Sequence, residues 1–387
     1  MMIHTQKTSV FNVLRRSLFG IFVVIFAFSG AVIAESNDLA AYQAQRAAIQ
    51  KLVTEVLRQE KLQAVVLGIT VGGQELLMLA EGEAMPDVPA TPDLHLRNGN
   101  VAVAYMGNLF YQLVDAGIVQ ADDPVGKWLP ELPEAHAVTL EMLLNGTAGY
   151  PDFVPMESFQ EKFYANPFQH WRPQELINLA FTEKPKFKPG SDWNYAHTNF
   201  VILGLALEKA AGKPFGELMQ TRILTPFGMT QTAAPDTPQI PTPVLHSYTA
   251  ERGYYEDATV WNPSWTLARG AVQTSTIRDT LAGFRAIGQG RGLTPESFQA
   301  MLAPHTAGMK FWTENRYYAQ GVVVNNGWLM QAPRFAGLFG AAGYFPDKDI
   351  AVALWCTKAI DSEAGNDIAS AIFRQITAVL TPDNPVD

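Results

Sequence analysis

Apolar runs typical of β-strands lie near both ends of this 387-residue chain, and this arrangement limits how it can fold. The runs at 64–71 and 76–79 flank Gly72-Gly73, a pattern that predicts a β-hairpin. A further run lies at 350–355, and the residues between read mostly as helices and loops. We therefore predict an α/β sandwich whose sheet both chain ends complete, with a mostly helical insert at about 118–300.

Apolar residues at helical spacing predict further elements along the chain. The sequence contains no internal repeat and no Gly/Ser-rich linker, so we expect one domain after the N-terminal segment. Gly117 is a typical residue to end a helix. The predicted helices are 39–62, 101–116, 139–144, 199–212 and 367–380.

The first 34 residues are typical of a signal peptide. They contain Lys7, Arg15 and Arg16, no acidic residue, an apolar run at 18–28 and a small-residue ending at Ala34. We predict cleavage after Ala34, which leaves a domain at 35–387 that is periplasmic or secreted and not bound to a membrane. An uncleaved membrane anchor is the alternative, although the apolar run is short for it.

Charge and cysteine content exclude several classes of protein. Removal of residues 1–34 moves the formal net charge from −9 to −12, which disfavours nucleic acid as a partner. The single cysteine, Cys356, lies in an apolar run and is predicted to pack in the core. No pair of the seven histidines has the spacing of a metal site, so we expect neither a metal nor another cofactor.

Several segments between residues 94 and 355 follow one another in a characteristic order and spacing. They are 112–117, 123–125, 129–130, 138–152, 188–195, 203–204, 212–214, 226–230, 293–297, 301–302 and 304–306. With these segments the chain resembles the superfamily of serine β-lactamases, D-Ala-D-Ala carboxypeptidases and related esterases. The resemblance implies a β-lactamase/transpeptidase-like fold, with an antiparallel sheet flanked by helices and a mostly helical subdomain.

The residues that carry acyl transfer in this superfamily are missing. Its members place Ser and Lys three residues apart at the start of a long helix, where the amine assists attack by the hydroxyl. The matching positions here are Asn100 and Val103, and neither side chain can act as nucleophile or base. Since no S-x-x-K or G-x-S-x-G occurs elsewhere, we predict no catalytic residue. Asn100 is expected to cap the helix, and Val103 to pack with Met106, Phe110 and Leu113.

The second and third motifs of the superfamily are also altered. Tyr195-Ala196-His197 stands where Y-x-N is expected, so the phenol is kept and the amide is lost. The third motif, a cation, any residue and Gly, aligns with Gln331-Ala332-Pro333 or with Leu338-Phe339-Gly340. Both alternatives lack the cation that grips a carboxylate. The residues predicted to bind ligand in the cleft are Asn100, Tyr195, His197 and Gln331.

Three functions fit these changes. The first is a pseudoenzyme that binds a cell-wall peptide or a periplasmic partner protein. The second is an active hydrolase with rearranged chemistry, built around Tyr195 and His197. The third is a structural protein whose cleft is filled, with the aromatic stretches 159–168 and 261–265 serving as contact surfaces or as buried packing.

Overall fold

One antiparallel sheet forms the centre of the molecule. The computed structural model describes residues 39–235, 237–271 and 273–387. The strands are β1 (Leu62–Val71), β2 (Gln74–Met85), β3 (Val88–Pro89), β4 (Leu96–Arg97), β5 (Tyr248–Thr249), β6 (Glu256–Asp257), β7 (Thr274–Ser275), β8 (Arg316–Tyr318), β9 (Val323–Asn325), β10 (Trp328–Gln331), β11 (Arg334–Phe335), β12 (Leu338–Phe345) and β13 (Ile350–Lys358). The large sheet has the order β3-β2-β1-β13-β12-β10-β9-β8, with β11 paired to β12.

Helices cover the sheet and fill the middle of the chain. They are α1 (Gln43–Gln59), α2 (Val101–Asp115), α3 (Leu140–Asn145), α4 (Glu157–Ala165), α5 (Pro173–Ala180), α6 (His197–Ala211), α7 (Phe215–Met219), α8 (Thr225–Phe227), α9 (Ile277–Gly288), α10 (Pro295–Met301) and α11 (Ile368–Leu380). Short 3-10 turns occupy Val125–Lys127 and Pro346–Lys348, and a π-helical turn, Gln220–Leu224, joins α7 to α8.

The two ends of the chain meet where β1 pairs with β13. Val65 lies opposite Cys356 and Ile69 lies opposite Val352. All residues of β13 except the last are buried, because this strand has neighbours on both edges and helices on both faces. The prediction that both ends complete one sheet is therefore confirmed. Cys356 is a core residue as predicted, and burial raises the pKa of its thiol to about 12.

Helices α9 and α11 lie on opposite faces of the sheet. The Tyr344 ring is so close to Gly288 of α9 that a Cβ there would come within 1.9 Å of it. The neighbouring residue, Gly343, faces Phe373 of α11 instead, as the alternation of side chains along a strand requires. Since α9 covers β1, β12 and β13, the predicted insert, 118–300, extends too far and includes a helix of the sheet layers.

Helix α2 is almost completely enclosed. Thirteen of its fifteen residues are buried, and Val103, Met106, Phe110 and Leu113 have no exposed surface. The predicted packing role of Val103 is thus confirmed. Predicted helix boundaries differ from the observed ones by a few residues, as for the helix expected at 199–212, which begins at His197.

The aromatic stretches of the helical region are mostly packed against each other. The Phe163 ring makes edge-on contacts with the Trp261 and Trp265 rings, at 5.5 and 5.3 Å between centroids. Phe159 also contacts Trp265 at 5.4 Å, and only Phe168 is largely exposed. Of the two interpretations of these stretches, the geometry favours buried packing.

Residues 44–387 form one compact unit. The predicted signal peptide, 1–34, lies outside the described residues. Among the residues that the structure describes, which are 39–387 except 236 and 272, no helix is both long enough and apolar enough to span a membrane.

A close contact inside α2 gives a test of this packing. A Cβ at Gly107 would lie 2.3 Å from the backbone oxygen of Gln320. This oxygen belongs to the main chain, so it can move only if the backbone around residue 320 moves with it. We expect Gly107→Ala to lower the free energy of unfolding by about 1–3 kcal/mol, measured by urea denaturation. Gly216→Ala in α7 is the matched control, because its Cβ would come no closer than 3.6 Å to Gly270. Equal stability of the two variants would contradict the packing described here.

Candidate functional site

A cavity of about 190 Å³ opens at the start of α2. It lies where α2, the start of α6, the segment after β10 and the loop at 263–267 meet. We call it the Arg97 cavity, and its walls include Arg97, Asn100, Tyr195, His197, Trp265 and Arg334. Three of the four predicted ligand-binding residues, Asn100, Tyr195 and His197, are therefore brought together. Their role in binding stays a prediction.

Asn100 does not cap α2 as predicted. It occupies the N-cap position, but its backbone is already helical, with φ −69° and ψ 0°, and its side chain accepts no cap hydrogen bond. Capping residues usually have an extended backbone, which directs the side-chain oxygen to the first amides of the helix. Here the amides of residues 101–103 donate instead to the carbonyl oxygens of residues 98–100. The Asn100 side chain is thus left at the cavity wall.

Tyr195 is unsuited to proton transfer near neutral pH. Burial raises the pKa of its phenol well above the usual value, and the nearby Tyr318 and Asp152 add to the rise. The Asn100 amide offsets part of this effect. Neither the Tyr195 hydroxyl nor Asn100 Oδ1 makes a well-formed hydrogen bond with the described residues. The phenol therefore stays protonated near neutral pH.

His197 is held in place by Asp152. Its Nδ1 lies 3.2 Å from both oxygens of the Asp152 carboxylate, and its backbone N–H donates to Oδ1 at 3.1 Å. A carboxylate at the first amide of α6 also interacts favourably with the helix dipole. Because the carboxylate accepts from Nδ1–H, a neutral His197 carries its lone pair on Nε2. The ring can then accept a hydrogen bond from a ligand.

Gln331 does not line the cavity, so this prediction is wrong. Its side chain is buried and donates from Nε2 to the Gly321 carbonyl at 2.8 Å. The next residue, Ala332, lines the cavity. Pro333 packs closely on Gly99, since a Cβ added to Gly99 would lie 2.7 Å from the Pro333 Cβ. Of the two alternatives for the third motif, the segment 331–333 therefore borders the site.

Two arginines that sequence reasoning missed lie on the cavity wall. Arg97 ends β4, three residues before the nucleophile position, and is 4% exposed. Arg334 begins β11, directly after the third-motif segment, and is exposed. Neither belongs to a recognisable motif, and no signal in the sequence shows that their side chains meet at one cavity.

A second cavity of about 180 Å³ adjoins the first. The two cavities share His197, Trp265, Arg334 and Phe335 as lining residues. We call the second one the aromatic cavity, because Phe159, Phe163 and Tyr164 also line it, together with Glu251. Burial raises the pKa of the Glu251 carboxyl. The arrangement places a chamber with several aromatic rings and one carboxyl group on its walls next to the Arg97 cavity.

Few of the described residues that line the Arg97 cavity carry a group that could act as a nucleophile. Among its described lining residues none is a serine, a cysteine or a lysine, and Thr266 donates its hydroxyl to the Pro263 carbonyl at 2.8 Å. Within the described part of the chain, no group of three or more His, Cys, Asp or Glu residues is placed to hold a metal ion. The walls therefore offer recognition groups but no evident nucleophile.

Comparison with known proteins identifies the family. The family model described as beta-lactamase matches residues 49–375. The chain belongs to the beta-lactamase family. The resemblance inferred from the motifs is thereby confirmed, and so is the β-lactamase/transpeptidase-like fold.

Family members with known names resemble parts of the chain. Penicillin-binding protein 4* of Bacillus subtilis (strain 168) is 33% identical over 124 residues, which cover 31% of this chain and 26% of that protein. The D-alanyl-D-alanine-carboxypeptidase/endopeptidase AmpH of Escherichia coli (strain K12) is 28% identical over 178 residues, or 43% of this chain and 45% of that protein. The matches thus span less than half the length of both relatives.

A solved structure of the family covers most of the fold. The D-stereospecific amidohydrolase from Streptomyces sp. superimposes with a TM-score of 0.76 and 25% sequence identity. The match covers 87% of this chain and 99% of that one.

The buried Tyr195 hydroxyl gives a stability test. Because the hydroxyl is buried without a well-formed hydrogen bond, its desolvation is not compensated, and we expect Tyr195→Phe to raise the free energy of unfolding by about 1 kcal/mol at pH 7. Tyr150→Phe is the matched control, since that hydroxyl donates to the Pro133 carbonyl at 2.7 Å and its loss costs about 0.5–1.5 kcal/mol.

The pH dependence of the same variant follows from the raised pKa. In the unfolded chain Tyr195 ionises near its ordinary pKa of about 10, whereas the folded state keeps it neutral. Its contribution to stability is complete below about pH 10 and is lost as the pH rises further. As the pH rises above 10, the free energy of unfolding, measured by urea denaturation, should therefore fall more steeply for the wild type than for Tyr195→Phe. Parallel stability curves for the two proteins would contradict the assignment.

Proposed function

We propose that this chain is a non-hydrolytic member of the beta-lactamase family that binds a cell-wall peptide in the Arg97 cavity. The observation that carries the proposal is the start of α2, where Asn100 and Val103 stand at the Ser and Lys positions and Val103 has no exposed surface. An isopropyl group in the core cannot accept a proton. Loss of a nucleophile alone costs about 10⁶-fold in a serine protease, so residual turnover by this route is negligible.

A small peptide suits the cavity better than a partner protein does. The space of about 190 Å³ is enclosed by side chains on several elements, and it continues into the aromatic cavity. Ligand pockets are concave and mostly apolar, with a few polar groups that fix orientation. The protonated Tyr195 phenol and the Asp152-bound His197 supply such groups. A partner protein remains the alternative occupant.

Export of the chain belongs to the same proposal. The basic, apolar and small-residue segments of 1–34 support cleavage after Ala34 and a periplasmic or secreted location. We expect the secreted protein purified from a bacterial host to begin at Glu35, which N-terminal sequencing checks. A chain that starts at Met1 and fractionates with the membrane would support the uncleaved anchor instead.

Intact-mass measurement tests the loss of acyl transfer. After incubation with penicillin or with an active-site phosphonate, we expect the mass of the protein to be unchanged, because no described residue of the cavity can form the covalent bond. A penicillin-binding protein that retains its serine is the positive control and should gain the mass of the reagent. Covalent labelling of this chain would overturn the proposal.

A second candidate function is an active hydrolase with rearranged chemistry. The observation in its favour is the His197–Asp152 pair, which resembles the arrangement that orients a histidine as a general base. Such an enzyme would need water as its nucleophile. Turnover of nitrocefin or a p-nitrophenyl ester that is lost in His197→Asn and in Asp152→Asn would establish this alternative. Turnover that survives both substitutions points to a contaminating hydrolase.

A further inference from the structure

A third cavity, of about 270 Å³, lies between the hairpin of β1 and β2 and the helix α9. None of the described residues that line it also lines the Arg97 cavity or the aromatic cavity, so it is a separate site. We call it the Arg285 cavity, and its walls include Gly73, Glu75, Phe227, Arg278, Arg285 and Arg291.

Asp349 holds the Arg285 guanidinium in one orientation. Nε and Nη2 of Arg285 donate to the two oxygens of the Asp349 carboxylate at 2.8 and 2.6 Å, and this pairing raises the pKa of Arg285. The third nitrogen, Nη1, is the atom nearest to Gly73, where an added Cβ would lie 2.7 Å from it. Nη1 has no acceptor among the described residues and is not enclosed, since 31% of the Arg285 side chain is exposed. A ligand in the cavity can therefore reach a guanidinium that is already oriented.

Arg291, in the turn after α9, adds a cation that is free of carboxylates. Its side chain is exposed, and Nη1 donates weakly to the Pro226 carbonyl at 3.4 Å. The ion pairs found among the described residues involve Arg278 and Arg285 but not Arg291. A solvent-facing guanidinium with most of its donors unused is well suited to bind an anion.

The wall of the Arg285 cavity is positive although the protein is acidic. Three arginines and one glutamate line it, which leaves two positive charges in excess. The second carboxylate near Arg278 belongs to Asp93, which is 75% exposed, so water screens much of its charge. The formal net charge of the whole chain is −9, and the excess of arginine is therefore a local feature.

The floor of the cavity is apolar. Arg278 and Arg285 are seven residues apart on α9, so they lie on one face of the helix, about 10 Å apart along its axis. Leu281 and Ala282 lie between them on that face and line the cavity together with Phe227. The cations thus border an apolar surface that is large enough for a small hydrocarbon group.

We infer that the Arg285 cavity binds an organic phosphate, meaning a phosphate group with an apolar substituent. A carboxylate has two oxygens in one plane, which a single guanidinium fork can saturate. A phosphate group presents three acceptor oxygens in different directions, so it can accept from Arg285 Nη1 and from Arg291 at once. The apolar substituent would lie on Leu281 and Phe227. The inference does not depend on the proposed function, because the cavity is separate from the cleft at the start of α2.

Ligands that carry the two parts separately test the inference. Binding of phenyl phosphate, inorganic phosphate and benzyl alcohol to the purified protein is measured by isothermal titration at pH 7. We expect phenyl phosphate to bind about tenfold or more tightly than either of the others, since only it combines charge-assisted hydrogen bonds with apolar contact. Its affinity should fall as salt rises. Equal affinities, or no binding of phenyl phosphate at millimolar concentration, would overturn the inference.

Substitutions assign the binding to this cavity. Arg291→Met should weaken binding of phenyl phosphate about tenfold or more without a change in melting temperature, because Arg291 is exposed and makes no ion pair with the described residues. Arg58→Met, which removes an exposed charge in the last turn of α1, is the matched control and should bind as the wild type does. Loss of binding in Arg334→Met but not in Arg291→Met would place the phosphate in the Arg97 cavity and contradict the inference.

A variant that fills the floor tests the apolar part. Ala282 is partly exposed and lines the cavity, so the larger side chain of Ala282→Leu should occupy the space while all three arginines remain. We expect this variant to lose affinity for phenyl phosphate and to keep its affinity for inorganic phosphate within about twofold. Unchanged binding of phenyl phosphate to Ala282→Leu would show that the substituent does not enter the cavity.

Vesicles distinguish the two sources of such a phosphate. Sedimentation with vesicles of phosphatidic acid in phosphatidylcholine, lost in Arg291→Met, would identify a lipid headgroup as the ligand. Binding of phenyl phosphate without sedimentation would identify a soluble phosphate ester. Covalent labelling by penicillin would contradict the proposed function and leave this site in place, so the two proposals fail separately.

Discussion

The pairing of β1 with β13 is the constraint on which the rest of the structure depends. It joins strands from opposite ends of the chain and places β13 in the middle of the sheet, between β1 and β12. Helices α9 and α11 can then cover the two faces, and α2 packs next to α9 and α10. The start of α2 comes to lie against the segment that follows β10, where Pro333 contacts Gly99. The position of the Arg97 cavity is therefore a consequence of the pairing between β1 and β13.

Apolar periodicity was sufficient to predict the architecture, because burial of Val65, Cys356 and their neighbours dictates the pattern directly. It was not sufficient for details that depend on competing contacts. Asn100 stands at the N-cap position, yet carbonyl oxygens of the preceding turn already satisfy the first amides of α2. The alignment of Gln331 correctly placed the segment 331–333 beside the cavity. It could not give the direction of the Gln331 side chain, which depends on local twist and packing at the end of the strand and is turned towards the Gly321 carbonyl.

The cations of the site illustrate a different limit. Arg97 and Arg334 are far apart in sequence and belong to no motif, so only the folded backbone shows that both line one cavity. The fold of the family thus fixes where a ligand can lie, whereas the residues on its walls decide what is done with it.

The enclosure of α2 limits which substitutions its first turn can accept. A lysine introduced at Val103 would put an amine into a space with no exposed surface, where its charged form is disfavoured and its packing is poor. A serine introduced first at Asn100 would find no base beside it. Each single substitution towards the Ser and Lys of the family is therefore harmful or without benefit by itself. If the proposed function holds, the dense packing around Val103 makes acyl transfer difficult to restore one residue at a time.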